Sequence, residues 1–232
     1  MSGAVDDKVG QVRDALRYVV IEGCIGVGKT TLTHLLSQRL GARRVLEVVE
    51  ENPFLPEFYS DPAAHAFKTQ MFFLLSRFKQ QEELGQQDLF ARSVVSDYLF
   101  AKDRIFAELT LNTSELALYD QIFAALSTKV PVPDLVIYLH APLEVILGRI
   151  QRRGRSFEQD IDPTYLERLC EAYDRYFARY QLCPTLIVDT EDLNFPEREG
   201  DLDALLTAAL EAVRERSRKH VLRGEPRQQR LV

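Results

Sequence analysis

Short apolar runs alternate with longer amphipathic stretches along the whole chain. Tyr18-Val19-Val20-Ile21 is an apolar run that ends in a Gly-rich turn, and Thr31 to Leu40 follows with Leu32, Leu35, Leu36 and Leu40 on one helical face. Gly41 supplies a helix stop. Val45 to Val49 reads as a second strand, running into Glu50-Glu51-Asn52-Pro53. Asp61-Pro62 then opens a long helix rich in Phe and Leu, with Asp as N-cap and Pro at the first position, reaching about Leu84. Ser93 to Ser96 is a third buried strand with Asp97 at its end, and Leu99–Leu109 and Glu115–Leu126 read as helices. Asp134 to Leu139 predicts a fourth strand and Pro142 to Arg153 a helix. A second Asp-Pro start at Asp162-Pro163 opens a helix carrying Leu166, Leu169, Tyr173, Tyr176 and Tyr180. Leu186-Ile187-Val188 is a fifth strand, and Asp201 to Arg216 the last helix.

Strands that are apolar throughout, each separated by a helix, predict an α/β fold with a five-stranded parallel sheet covered on both faces. No internal repeat or linker divides it, so residues 18–216 read as one domain, preceded by an N-terminal extension (1–17) and followed by a basic, flexible tail (217–232). Composition agrees: 232 residues at 46% hydrophobic are ample for a large core. No run approaches the ~18 apolar residues of a membrane span. The first seventeen residues carry acids and lack the apolar segment of a secretory signal. Three widely spaced cysteines, Cys24, Cys170 and Cys183, suggest neither a disulfide framework nor a zinc site, and point to the cytoplasm. A net charge of −6 gives no reason to expect nucleic acid as a partner, yet it leaves room for a small anion. The charge is uneven: Arg214 to Arg230 holds seven Lys/Arg against two Glu, about +5, which leaves −11 for the rest. That basic end reads as a solvated helix terminus and tail rather than as a binding segment.

The turn after the first strand carries the chemistry. Gly23-Cys24-Ile25-Gly26-Val27-Gly28-Lys29-Thr30 fits G-x-x-x-x-G-K-[ST], with a strand before it and a helix after it. Its glycines let backbone N–H groups close around phosphate oxygens, and the helix N-terminus adds partial positive charge. Lys29 is placed to neutralise the β/γ-phosphates, and the Thr30 hydroxyl to join a Mg²⁺ shell. A nucleoside triphosphate is therefore expected on residues 23–31, from Gly23 to Thr31. No Asn-Lys-x-Asp guanine reader is present. Instead Arg149, Arg152, Arg153 and Arg155 gather after the fourth strand, three of them on one helical side, where they suit a lid that neutralises a transferring phosphoryl.

In addition, the chain resembles the deoxynucleoside kinase family, in particular its bacterial deoxyadenosine and deoxyguanosine kinase-like branch, from about Tyr18 to Phe195. The matching pieces are IEGCIGVGKTT, then Glu47-Val48-Val49-Glu50-Glu51-Asn52-Pro53-Phe54, Phe58-Tyr59 and Gln70-Met71-Phe72-Phe73-Leu74-Leu75-Ser76-Arg77. Tyr138-Leu139 and Arg153-Gly154-Arg155-Ser156-Phe157-Glu158-Gln159 complete the set. The resemblance implies a three-layer P-loop kinase sandwich that phosphorylates the 5′-hydroxyl of a deoxynucleoside with ATP and Mg²⁺, purines favoured, as a homodimer joined through helices. It assigns the general base to Glu47, base reading to Gln70, Arg77 and Asp103, and the sugar 3′-hydroxyl to Tyr59 and Glu158. Arg149, Arg153 and Arg155 act on the phosphoryl group, and Asp189-Thr190-Glu191-Asp192-Leu193 on the donor's adenine.

One departure from the family pattern concerns its acid-Arg-Ser element after the third strand. Ala91-Arg92-Ser93 keeps Arg-Ser and lacks the acid; Asp97-Tyr98-Leu99 keeps the acid, as a metal and substrate ligand, and lacks the guanidinium. The second placement is preferred because Asp97 ends an apolar strand. Two other readings stand beside the leading one: a thymidylate kinase-type nucleoside monophosphate kinase, and a nucleotide-binding regulatory module without transfer chemistry.

Overall fold

The computed structural model describes residues 10–12, 14–47, 51–86, 93–155, 158, 161–215 and 219–224. In chain order the strands are β1 (Tyr18–Gly23), β2 (Arg43–Val45), β3 (Val94–Ser96), β4 (Leu135–His140), β5 (Thr185–Asp189) and β6 (His220–Arg223). The helices are α1 (Lys29–Leu40), α2 (Leu55–Ser60), α3 (Pro62–Gln86), α4 (Asp103–Thr110), α5 (Thr113–Ser127), α6 (Leu143–Arg153), α7 (Pro163–Arg179) and α8 (Glu199–Arg214), with a 3₁₀ turn at Phe100–Lys102. The strands form one parallel sheet in the order β2-β3-β1-β4-β5-β6.

The central strands are apolar in succession because helices cover both faces. Val19, Val20, Ile21, Leu135, Val136, Ile137 and Leu139 are all buried. Their core is shared with Leu32, Leu36 and Leu40 of α1, Leu166, Leu169, Tyr173 and Phe177 of α7, and Leu202, Leu205 and Leu206 of α8. A smaller cluster of Leu74, Phe100, Ala107 and Tyr119 ties α3, α4 and α5 into a helical layer beyond the sheet's C-terminal edge of β3. Asp162 caps α7 by accepting from the Thr164 amide (2.9 Å), and Asp61 accepts from Ala64 at the start of α3 (3.2 Å), as the two Asp-Pro starts predict.

Three differences from the sequence expectations have physical reasons. Among the described residues the sheet has six strands rather than five. Residues 220–223, within the stretch read as a flexible tail, pair in parallel with β5 from Leu186↔His220 to Asp189↔Arg223. Positions 225–232 of that tail lie outside the described residues. The second strand covers Arg43–Val45, not Val45–Val49, because its ladder on β3 ends at Val45↔Ser96, where β3 itself ends. Val48, Val49 and Glu50 lie outside the described residues, as do Ala91, Arg92, Ser156, Phe157 and Gln159. Finally, Val12 and Leu16, within the stretch read as an N-terminal extension, are buried in the main core. Among the described residues, no helix is long and apolar enough to cross a membrane.

Candidate active site

A cavity of about 760 Å³ opens where the C-terminal ends of β1, β2 and β3 meet the helical layer. It has the size of a small-molecule site and two chemically distinct arms.

The first arm is the turn from β1 to α1. Gly23 has φ 150°, and a Cβ there would lie 2.4 Å from the Leu139 carbonyl oxygen, so the turn packs directly on β4. Gly28, the residue before α1, is left-handed at φ 115° and faces open space, which leaves the α1 amides accessible to a ligand. Lys29 folds over the turn and donates to the carbonyls of Gly23 (2.7 Å) and Cys24 (3.0 Å). Burial lowers its pKa first, and the nearby ammonium of Lys102 lowers it further. Ile25, Gly26, Val27, Thr30 and Thr31 line the cavity. Cys24 instead sends its side chain inward, where its thiol meets that of Cys170 on α7 at 2.8 Å, and burial pushes its pKa up.

Behind this arm sits Glu22, fully buried and not singled out by its sequence context. It accepts from the Gly23 amide (2.9 Å), the Leu99 amide (2.7 Å) and the Tyr173 hydroxyl (3.2 Å), fixing β1, the chain after β3 and α7 to one point. Its pattern signal is an acid in an otherwise apolar strand.

Asp97 joins the two arms. Its Oδ2 accepts from the Thr30 hydroxyl (2.9 Å) and its Oδ1 from the Glu47 amide (2.7 Å). Burial raises its pKa, and the Glu47 amide opposes that rise. Thr30 and Asp97 thus offer a hydroxyl and a carboxylate side by side, a hard oxygen donor set that fits Mg²⁺ completed by phosphate and water. Ser93, the described part of the alternative acid-Arg-Ser placement, precedes β3 at the far end from the cavity.

The second arm is a buried charge cluster. Glu47, two residues beyond β2, accepts from Arg77 of α3 and from Lys102 (2.6 Å). Burial alone would raise its pKa, but Arg77 and then Lys102 outweigh burial and hold the carboxyl well below the usual carboxylate range. Arg77 also pairs with Asp103 and lies over the Phe73 ring at 4.7 Å. Gln70, one face along α3 from Arg77, donates to the Thr110 hydroxyl (3.3 Å) and is almost fully buried. Arg77 Nε and Asp103 Oδ2 have no hydrogen-bond partner among the described residues. Gln70 and Arg77 line the cavity, whereas Asp103 stands behind Arg77 and is not part of the wall. Lys102 has no motif around it to announce it. The reading of Leu99–Leu109 as one helix hid the 3₁₀ turn that delivers it.

The lid arginines divide. Arg149 donates to the Val27 carbonyl, the Thr190 hydroxyl and the Thr190 carbonyl, each at 2.8 Å, and so braces the phosphate turn against the end of β5. Arg153 pairs with Glu158, and Arg155 approaches the same carboxylate at 3.5 Å. Tyr59 lies close enough that burial, and next the Glu158 charge, raise its pKa. All five of these residues line the cavity, as do Thr190 and Leu193 from the loop after β5.

The family model described as deoxynucleoside kinase matches residues 19–214. The chain is 36% identical over 201 residues to the deoxyguanosine kinase of Bacillus subtilis (strain 168), covering 84% of this chain and 97% of that one. It is 33% identical over 208 residues to the deoxyadenosine/deoxycytidine kinase of the same organism, covering 87% and 95%. A solved structure of deoxyadenosine kinase from M. mycoides with bound dATP superposes with a TM-score of 0.71 at 27% identity, covering 82% of this chain and 98% of that one.

Proposed function

The chain belongs to the deoxynucleoside kinase family, and from that premise we propose how its cavity moves the γ-phosphoryl group of ATP to the 5′-hydroxyl of a deoxynucleoside, purines preferred. The enzyme is a kinase of deoxynucleosides, in line with the activities named for its relatives. The observation that carries the division of labour is Glu47. Its carboxylate adjoins the Lys29 arm through charge and the Gln70–Arg77 arm through hydrogen bonding. A hydroxyl presented there meets a base on one side and the phosphate turn on the other.

On this reading the triphosphate lies on the amides of residues 23–31, with Lys29 released from its two carbonyls onto phosphate oxygens. Thr30 and Asp97 would hold Mg²⁺, which would supply charge neutralisation for the triphosphate. Gln70 presents both a donor and an acceptor to a base edge, and Arg77 Nε is a further unused donor. Tyr59 and Glu158 take the sugar 3′-hydroxyl, and Glu47 accepts the proton of the 5′-hydroxyl as its oxygen attacks phosphorus. Arg153 and Arg155 close with Glu158 over the transferring group, while Arg149 keeps the turn in shape.

A monophosphate acceptor would need cations free to receive its charge. Here Arg77, at the base-reading end of the cavity, is already matched by Glu47 and Asp103, which favours an uncharged acceptor. The reading extends to a cytoplasmic homodimer. α5 carries Leu116, Leu118, Ile122, Phe123 and Leu126 but buries only Tyr119 fully within the chain, and Leu118 is 48% exposed.

A coupled assay with ATP, Mg²⁺ and each of the four deoxynucleosides tests the proposal, with deoxyadenosine and deoxyguanosine expected to turn over fastest. Faster turnover of deoxynucleoside monophosphates, unaffected by Glu47→Gln, would establish the monophosphate kinase instead. Nucleotide binding without any acceptor would establish a regulatory module.

A further inference from the structure

We propose that Lys102 is a catalytic residue of this kinase, supplying the positive charge that faces the acceptor oxygen and the phosphoryl group during transfer. The inference rests on the phosphotransfer reading of the cavity and adds a residue to it.

Directly after Asp97 the chain provides no guanidinium, and Arg104 further on pairs with Glu108 and Asp120 away from the cavity. Tyr98, which follows Asp97, is fully buried and accepts a hydrogen bond from Gln81 Nε2 through its hydroxyl (3.2 Å), so it faces the core and not the cavity. Four residues later the 3₁₀ turn at Phe100–Lys102 brings the chain back, and Lys102 lines the cavity with only 3% of its surface exposed. A lysine so deeply buried needs strong compensation. Its hydrogen-bonding partner among the described residues is Glu47 Oε2 at 2.6 Å, and that carboxylate is already engaged by Arg77. An ammonium has three donors, so two remain for a ligand.

Lys29 and Lys102 line the same cavity. A polyanion bound in that cavity meets both ammoniums. Lys102 thus touches the proposed base and shares its cavity with the phosphate-binding lysine, so a phosphoryl group transferred there passes within its reach. In the transfer the O5′–H proton goes to Glu47 and the O5′ electron pair forms the new bond to Pγ. The bond from Pγ to the bridging oxygen breaks, leaving its electrons on ADP. Lys102 offsets the charge gathering on the phosphoryl oxygens.

The test is Lys102→Met in the full chain, assayed with the best deoxynucleoside and with binding of that nucleoside and of ATP measured separately. Wild-type turnover decides the phosphotransfer reading on its own, before any variant is compared. The expected result is a fall of kcat by about 10²–10³-fold with both dissociation constants changed by less than about fivefold, and recovery of at least tenfold of the loss in Lys102→Arg. Lys102→Gln, which retains a donor toward Glu47, carries the same expectation should Lys102→Met not fold. A kcat within threefold of wild type would overturn the proposal. So would a loss of kcat matched by an equal loss of nucleoside binding, or one that Lys102→Arg fails to relieve.

Discussion

The two arms of the cavity solve opposite problems with different parts of the chain. The phosphate arm is built from backbone: glycines at Gly23, Gly26 and Gly28 with positive φ, the free amides of α1, and one lysine parked on two carbonyls. The acceptor arm is built from side chains, in which Glu47, Arg77, Lys102 and Asp103 come from three separate segments and match two cations to two carboxylates. A highly charged ligand is met by donors that are held in reserve. An uncharged one is met by charges that already balance, and selectivity then falls to shape and hydrogen bonding. Backbone-built sites are sensitive to what a residue's main chain can do; side-chain-built sites are sensitive to charge.

The contrast can be broken in a definite order. Glu47→Gln removes the proposed base while keeping the shape, and kcat is expected to fall by about 10²–10⁴-fold with the ATP KM little changed; steady-state kinetics against both substrates checks this. Arg77→Met leaves Asp103 buried without its paired cation and Glu47 with Lys102 alone, and a loss of about 3–5 kcal/mol of stability is expected, read from urea unfolding. Equal stability of that variant and wild type would mean that the cluster does not hold the acceptor arm together.

On the other arm, Gly23→Ala forces a Cβ to within 2.4 Å of the Leu139 carbonyl at φ 150°. It should lower stability by about 1–3 kcal/mol and weaken ATP, which calorimetry and ATP titration would show. The smallest effect belongs to Thr110→Val, which frees the Gln70 amide from its 3.3 Å contact. The deoxynucleoside KM should shift by an amount equivalent to about 0.5–1.5 kcal/mol, with kcat and the ATP KM unchanged.

The same contrast explains what could be read from the amino acids alone. The phosphate arm is contiguous and its glycines encode its backbone, so residues 23–31 were legible in full. Glu47, Gln70 and Arg77 were recognisable through a family's spacing, and the structure brings all three to one cavity wall. Lys102 was not legible, since its burial depends on a three-residue 3₁₀ turn inside a stretch that reads as continuous helix. Glu22 is a single acid whose three partners lie 1, 77 and 151 positions away. The shift of β2 to Arg43–Val45 follows from the length of its partner β3, a property of another segment. β6 was missed because an edge strand of His-Val-Leu-Arg has only two apolar residues, and charge on sheet edges is normal.

Asp97 has a wider consequence. One of its oxygens holds the hydroxyl of Thr30 on the phosphate arm and the other the amide of Glu47 on the acceptor arm. On the proposed roles, a ligand that draws the first contact would bear on the placement of the second, and one carboxylate would link the two half-sites. Whatever factor Mg²⁺-ATP applies to the affinity for a deoxynucleoside, the deoxynucleoside must apply in equal measure to Mg²⁺-ATP. Occupancy of either pool would then set the enzyme's apparent appetite for the other, making one carboxylate a point at which the supply of donor and the supply of acceptor are compared.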